Sequence, residues 1–359
     1  MKALLDKVKL KEKFSEIGIH QGVSLMVQSS LSSLGIVDGG ATAVVEALLE
    51  SAGEEGTVVM PAFRSAIRSE SYSIKDCENC KGKRFCESKE PGTTGLITET
   101  MRLYPGVLRS CHPTCSWIGT GKYAEKLLEE HGFSPTPCGK GSPFFPLMEL
   151  NGIILLLGVG INSFTFFHAV EDALGLPYLS AYDRPHRHAT YTTSGRRIQY
   201  QYPQLLETAL REANIIKAFR IGVGNLILMR ARDIGSFMWQ AAADNPWCFI
   251  LRPRGADYSP FEDACIKTAR MVKTWKTNPD GNAWEKLLIQ SRKDINPPEF
   301  KPCDNPRTDC PAYGGMKDGY HRCAANDPPP WEKFIGYPPQ NAGVATCHQC
   351  SWPIENYFK

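Results

Sequence analysis

The run Ile153-Ile-Leu-Leu-Leu-Gly158-Val159 constrains this chain more than any other segment. An apolar stretch of that length, closed by glycines, reads as a strand buried on both faces at the centre of a parallel sheet. Helices must then cover both faces, which sets an α/β class. Directly downstream, Gly160-Ile-Asn-Ser163-Phe-Thr165 predicts a turn into a helix, with Ser163 or Thr165 near the N-cap. His168 and Glu171 follow, three residues apart and so on one face of that helix. They fall just past the carboxyl end of a central strand, where open α/β sheets bind ligands. A base with a carboxylate beside it at that place is the sharpest catalytic signal in the sequence.

Other segments repeat the same architecture. Residues 1–20 have amphipathic helical spacing, and Val23–Val27 reads as a strand. A serine-rich turn, Gly39-Gly40 and the helical pattern Ala41–Glu50 lead to a second strand at Gly56–Phe63. Strand, helix and strand in close succession predict a right-handed βαβ unit. Further helices are expected at 95–104, 123–131, 203–213 and 231–243, a strand at 223–229 and hairpin material at 188–202. Residues 64–92 interrupt the pattern as a polar, cysteine-bearing insertion. Beyond residue 252, helical signals at 260–275 and 282–292 give way to a tail rich in proline and cysteine, 297–359. The expected organisation is an α/β domain over 1–252 and an extension over 253–359. The extension must be tied down by a metal or by docking, or stay loose.

Composition narrows the class. A chain of 359 residues with 42% hydrophobic and 22% charged side chains can bury a large core. A net charge of +3 with scattered Lys and Arg gives no footprint for nucleic acid. No apolar stretch reaches the roughly 18 residues a membrane span needs. The N-terminus alternates charged and apolar residues, unlike a signal peptide, so a cytoplasmic location is expected. No heptad pattern specifies an assembly, although a homo-oligomer is compatible with the composition.

The order of short motifs carries a resemblance. Val27-Gln28-Ser29-Ser30-Leu31, Leu34-Gly35, Gly39-Gly40, Gly56-Thr57 through Met60-Pro61, Arg109-Ser110, His112-Pro113 and Gly141-Ser142-Pro143 come first. Leu156-Leu-Gly158-Val159, Thr165-x-x-His168-x-x-Glu171 and Gly222 through Pro246 complete the series. Together, over residues 5–250, they resemble the aminoglycoside 3-N-acetyltransferase family. Each motif is weak alone, and the series is specific.

The resemblance implies a three-layer α/β/α sandwich that binds acetyl-CoA and passes the acetyl group directly to an amine of a small molecule, an amino sugar or a related amine. His168 and Glu171 match the family's catalytic pair, with His168 as general base and Glu171 holding its tautomer. His112 is a further active-site candidate, with the alternative of bracing its own Pro turn. The Ser29-Ser30-Leu31 turn suits the CoA pyrophosphate, because unpaired amides and a helix dipole favour an anion. Analogy adds Leu34, Gly35, Thr57, Pro61 and Ser142 to the cofactor cleft. The thioester oxygen needs donors, either backbone N–H groups or a hydroxyl of Ser29, Ser30 or Thr165.

The cysteines depart from this pattern. Of 13, Cys77, Cys80 and Cys86 sit in the insertion, and Cys303, Cys310, Cys323, Cys347 and Cys350 sit in the tail. Cys-x2-Cys turns direct two thiolates at one metal, and tetrahedral zinc then needs two more ligands. Structural zinc is the expectation, with an iron–sulfur cluster as the alternative, and the grouping of the eight thiols stays open. The rival functional reading keeps the scaffold but not the reaction: a metal- or cluster-binding protein on an acyltransferase-like frame.

Overall fold

A computed structural model describes residues 4–64, 84–112, 114–134, 136–174, 207–244 and 283–291, with short strands at 181–182, 190–191, 197–198, 313–317 and 320–323. In chain order the first half contains α1 (Lys7–Glu16), β1 (Ser24–Ser29), α2 (Gly40–Ala52), β2 (Thr57–Pro61) and α3 (Leu96–Arg102). It continues with β3 (Leu108–Arg109), β4 (Trp117–Gly121), α4 (Ala124–Leu128), α5 (Phe144–Glu149) and β5 (Ile153–Leu157). Then come α6 (Phe167–Leu174), the short strands β6 (Ala181–Tyr182), β7 (Thr190–Tyr191) and β8 (Arg197–Ile198), and α7 (Glu207–Glu212). The series ends with β9 (Lys217–Ile221), β10 (Gly224–Arg230), α8 (Ala231–Asp244), α9 (Ala283–Ser291) and the hairpin β11 (Tyr313–Lys317) and β12 (Tyr320–Cys323).

Seven strands form one sheet in the order β3-β4-β2-β1-β5-β10-β9. β1 pairs in parallel with β2 and β5, so these three carboxyl ends point one way. The sheet is mixed rather than wholly parallel, because β10 runs antiparallel to β5 and β4 runs antiparallel to β2. Central β5 is buried at all five positions. Its alternating side chains feed two separate cores, as a period of two requires. Ile154 and Leu156 join Met26, Val59, Trp117, Ile227 and Met229 on one face, covered by α4, α5, α6, α8 and α9. Ile153, Leu155 and Leu157 join Leu25, Val27, Val58, Met60 and Leu228 on the other, covered by α1, α2 and α3.

Local chemistry fixes the element ends. Asp6 caps α1 by accepting the Lys9 N–H at 2.8 Å, satisfying one of the helix's unpaired donors. α9, from beyond residue 252, packs on the first core through Leu288. Its Trp284 ring lies 4.2 Å below the Arg232 guanidinium, and the Trp284 backbone N–H donates to Ser236 Oγ at 3.1 Å. Among the described residues no helix is long and apolar enough to cross a membrane. The helical signal at 260–275 lies outside the described residues.

Besides the two-residue β3, two strands of the main sheet escape the sequence pattern. β4 begins with Trp117 and ends in Gly-Thr-Gly, and β9 reads Lys-Ala-Phe-Arg-Ile with four of its five residues at least partly exposed. Neither offers the apolar run or clean alternation by which strands are recognised. Both are held by their partners in the sheet.

Candidate active site

The carboxyl ends of β1 and β5 lie side by side, with Gln28 opposite Leu156 and Ser29 opposite Leu157. The chain leaves β1 through Ser30, whose N–H donates to Leu157 O at 2.9 Å. It then enters a short 3-10 turn, Ser32–Leu34. That turn rests directly on two glycines. A Cβ at Gly158 would come within 2.7 Å of Ser30 O, and one at Gly224 within 2.5 Å of Ser33 O. Gly158 also has φ +75°, which disfavours any other residue. The Ser30 hydroxyl meets Ser33 Oγ at 2.9 Å and Ser32 Oγ at 3.3 Å. Leu34 is fully buried in the core beneath, while Leu31 and Gly35 are half-buried.

Beyond β5, a 3-10 turn at Ile161–Ser163 delivers the chain into α6. His168 Nδ1 lies 2.5 Å from Glu171 Oε2, one helical turn apart. The Glu171 side chain is wholly buried, and that of His168 retains 18% of its exposure. Burying a carboxylate is costly unless it is paired, so this contact fixes the rotamer of both groups. With Nδ1–H donating to the carboxylate, Nε2 carries the lone pair and is the basic nitrogen. Phe167 packs edge-on to the imidazole at 5.4 Å.

Two polar side chains to which the sequence assigned no role anchor the segments around this pair. Gln28, 6% exposed at the end of β1, grips Thr165 from both sides of its amide. Its Nε2 donates to Thr165 Oγ1 at 2.5 Å, and its Oε1 accepts the Thr165 N–H at 3.2 Å. Asp172, next to Glu171, accepts from the Thr136 hydroxyl at 2.7 Å and the Cys138 N–H at 3.1 Å. The available signals were a polar side chain inside an apolar strand and a second acid beside the first.

Several expected site residues have other surroundings. His112 is 1% exposed, and its Nδ1 accepts the backbone N–H groups of Cys115 at 2.9 Å and Thr114 at 3.3 Å. Its ring stacks on His131 at 4.9 Å, its Nδ1 braces the turn, and its buried Nε2 has no hydrogen-bond partner among the described residues. Burial holds the His112 pKa well below the usual imidazole value, with His131 and Arg64 adding to the effect. Burial likewise lowers His131 to about 4. Ser142 is fully buried and donates its hydroxyl to Cys138 O at 2.8 Å. Thr57 opens β2, about 13 Å by strand rise from the carboxyl end where His168 lies. Its hydroxyl accepts the Tyr123 N–H at 2.8 Å, and it lines a separate groove of about 390 Å³ with Gly53 and Gly121. Pro61 does close β2 at the expected end, and its carbonyl accepts the Thr94 hydroxyl.

The cysteine expectations fare differently. Cys77, Cys80, Cys303, Cys310, Cys347 and Cys350 lie outside the described residues, and Cys323 is the last residue of β12. Cys86 is buried, with the Arg64 guanidinium donating to its sulfur at 2.9 Å. Arg64 also pairs with Glu90 at 3.2 Å. Arg109 beside them gives its donors to Ser116 Oγ and the carbonyls of Ala62 and Glu90. Cys86 therefore belongs to a buried guanidinium network. Among the described residues no group of three or more His, Cys, Asp or Glu side chains is placed to hold a metal.

With this geometry established, similarity to known proteins becomes informative. The profile of the family described as Aminoglycoside 3-N-acetyltransferase matches residues 26–242. A prophage-derived aminoglycoside N(3')-acetyltransferase-like protein, YokD, of Bacillus subtilis (strain 168), is 33% identical over 218 residues, covering 55% of this chain and 75% of that protein. Aminoglycoside N(3)-acetyltransferase III of Acinetobacter baumannii is 34% identical over 174 residues, 47% of this chain and 60% of the enzyme. Among solved structures, the apoenzyme of aminoglycoside acetyltransferase AAC(3)-IVa superposes with a TM-score of 0.56 at 25% identity, covering 76% of this chain and 99% of that one.

Proposed function

This chain belongs to the aminoglycoside 3-N-acetyltransferase family, and on that footing we propose that it moves an acetyl group from acetyl-CoA to an amine of an aminoglycoside or related amino sugar. The observation that carries the proposal is the His168–Glu171 contact of 2.5 Å beyond the carboxyl end of β5.

An amine in neutral water is an ammonium ion and cannot attack. His168 Nε2 takes its proton as the nitrogen lone pair meets the thioester carbonyl, and the imidazolium that results is stabilised by Glu171. The C–N bond forms, the carbonyl reforms, and the C–S bond breaks. The departing CoA thiolate takes up one proton from the imidazolium and the second proton of the starting ammonium is released to solvent, so charge and atoms balance. Direct transfer needs no acyl-enzyme, and a general base is the main chemical group required.

The turn after β1 is the proposed seat of acetyl-CoA. Ser30, Leu31 and Gly35 stay accessible there, and the buried Ser29 hydroxyl has no hydrogen-bond partner among the described residues. Such an unsatisfied group fits a site completed by a ligand. Zinc and iron–sulfur chemistry find no support in the described residues and enter no step.

The test is an amine panel, aminoglycosides included, assayed by thiol release from acetyl-CoA. His168→Ala should lower kcat at least about a hundredfold while retaining CoA affinity. Undiminished turnover by that variant would refute the assignment.

A further inference from the structure

We infer that the Thr165 hydroxyl is the donor that stabilises the thioester oxygen, and that Gln28 is the positioning residue that aims it. The inference deepens the acetyl-transfer reading and rests on it.

Ser29, Ser30 and Thr165 are the hydroxyl candidates for this role near the carboxyl ends of β1 and β5, and the structure separates them. Ser30 Oγ is bound up with the hydroxyls of Ser32 and Ser33. Ser29 is the strand neighbour of Gln28, so its side chain projects from the opposite face of the sheet. Gln28 lies on the face that α6 covers, in line with Met26 and opposite Leu156. Thr165 is the hydroxyl on the His168 side, and the His168 N–H donates to its carbonyl at 3.0 Å.

The direction of the Thr165 proton follows from its partners. A backbone N–H can only donate, so the Gln28 atom facing Thr165 N must be the carbonyl oxygen Oε1. The other end of the amide, Nε2, is then the atom facing Thr165 Oγ1, and it can only donate. Thr165 Oγ1 is therefore an acceptor in that bond, and its own hydrogen must point elsewhere. Its remaining partner among the described residues is Ser163 O at 3.4 Å, well beyond the 2.7–2.8 Å usual for hydroxyl donors. A half-buried hydroxyl is thus left with an under-used proton three residues before the general base. A donor polarised by a hydrogen bond at its oxygen also donates more strongly. The buried amide holds the hydroxyl in advance of reaction, which is what an oxyanion donor requires.

As charge builds on the thioester oxygen, the Thr165 O–H donates to it, and no covalent bond to Thr165 forms. The experiment combines kinetics with isotope-edited infrared spectra of carbonyl-labelled acetyl-CoA bound to the full chain. The bound carbonyl stretch should move to lower frequency than in free acetyl-CoA. That shift should vanish in Thr165→Val, persist in Thr165→Ser, and shrink in Gln28→Leu. Thr165→Val should lose about 10²–10³ in kcat with unchanged CoA affinity. Gln28→Leu should lose activity in the parent but nothing more in the Thr165→Val background. A Thr165→Val protein that keeps both the carbonyl shift and parental kcat would overturn the inference while leaving acetyl transfer intact. Failure of the parent to bind acetyl-CoA at all would instead remove the reading beneath it, and the inference with it.

Discussion

The buried histidine at position 131 makes stability depend on pH in a way that can be worked out from its surroundings. The ring is wholly buried, accepts from the Ser110 hydroxyl at 2.8 Å, and donates from Nε2 to Pro137 O at 2.8 Å. Burial lowers its pKa from 6.5 to about 4. A group whose folded pKa lies below its unfolded value adds stability that is fully present above the unfolded value. As pH falls through 6.5 the unfolded chain takes up the proton first, and stability drains until about pH 4. The depression is worth about 3 kcal/mol across that window, a large share of a domain's total. His112, depressed in the same direction, adds to the loss. The assay is urea denaturation of the parent and of His131→Gln at steps from pH 7.5 to pH 4. Carboxylates titrate alike in both proteins, so the difference between the two profiles isolates the histidine. The parent should lose about 3 kcal/mol more than the variant over the window. Parallel profiles would refute a neutral, desolvated imidazole at this position.

Two further substitutions test the scaffold around the site. Asp172→Ala removes the acceptor for the Thr136 hydroxyl and the Cys138 N–H, leaving buried donors unpaired. About 2–4 kcal/mol of stability should disappear in denaturant melts, and a neutral result would show that the loop is held by other contacts. Gly158→Ala places a Cβ 2.7 Å from Ser30 O at φ +75°, so the turn after β1 must shift. Acetyl-CoA affinity, measured by calorimetry, should fall about tenfold or more while the fold persists. Unchanged affinity would place the coenzyme away from that turn.

Much of the architecture could be read from short-range pattern. The β-branched and leucine run at 153–157 behaves as the buried central strand it resembles, and α2 covers the expected residues with one or two added at each end. The spacing of His168 and Glu171 already placed them on one helical face, and the structure brings them to 2.5 Å. β4 and β9 were not legible, because their residues carry little strand signal and are organised by neighbours distant in sequence. The positions of Thr57 at the opening of β2 and of Ser142 in the buried 136–142 loop were likewise not legible from the motifs. A motif records which residues are present along the chain, and strand direction decides which end of the sheet each one meets.

What the chain's order of residues determined alone was periodicity, helix faces and the adjacency of residues close in sequence. Those follow from backbone geometry, which repeats every 3.6 or two residues whatever surrounds it. What folding decided was which polar groups are wet and which are buried. His112 and His131 lose their charge in the interior, the Arg64–Cys86–Glu90 network replaces solvent with partners, and Gln28 meets Thr165 across 137 positions. Desolvation and long-range hydrogen bonding are properties of a packed volume, and a linear pattern carries no measure of either.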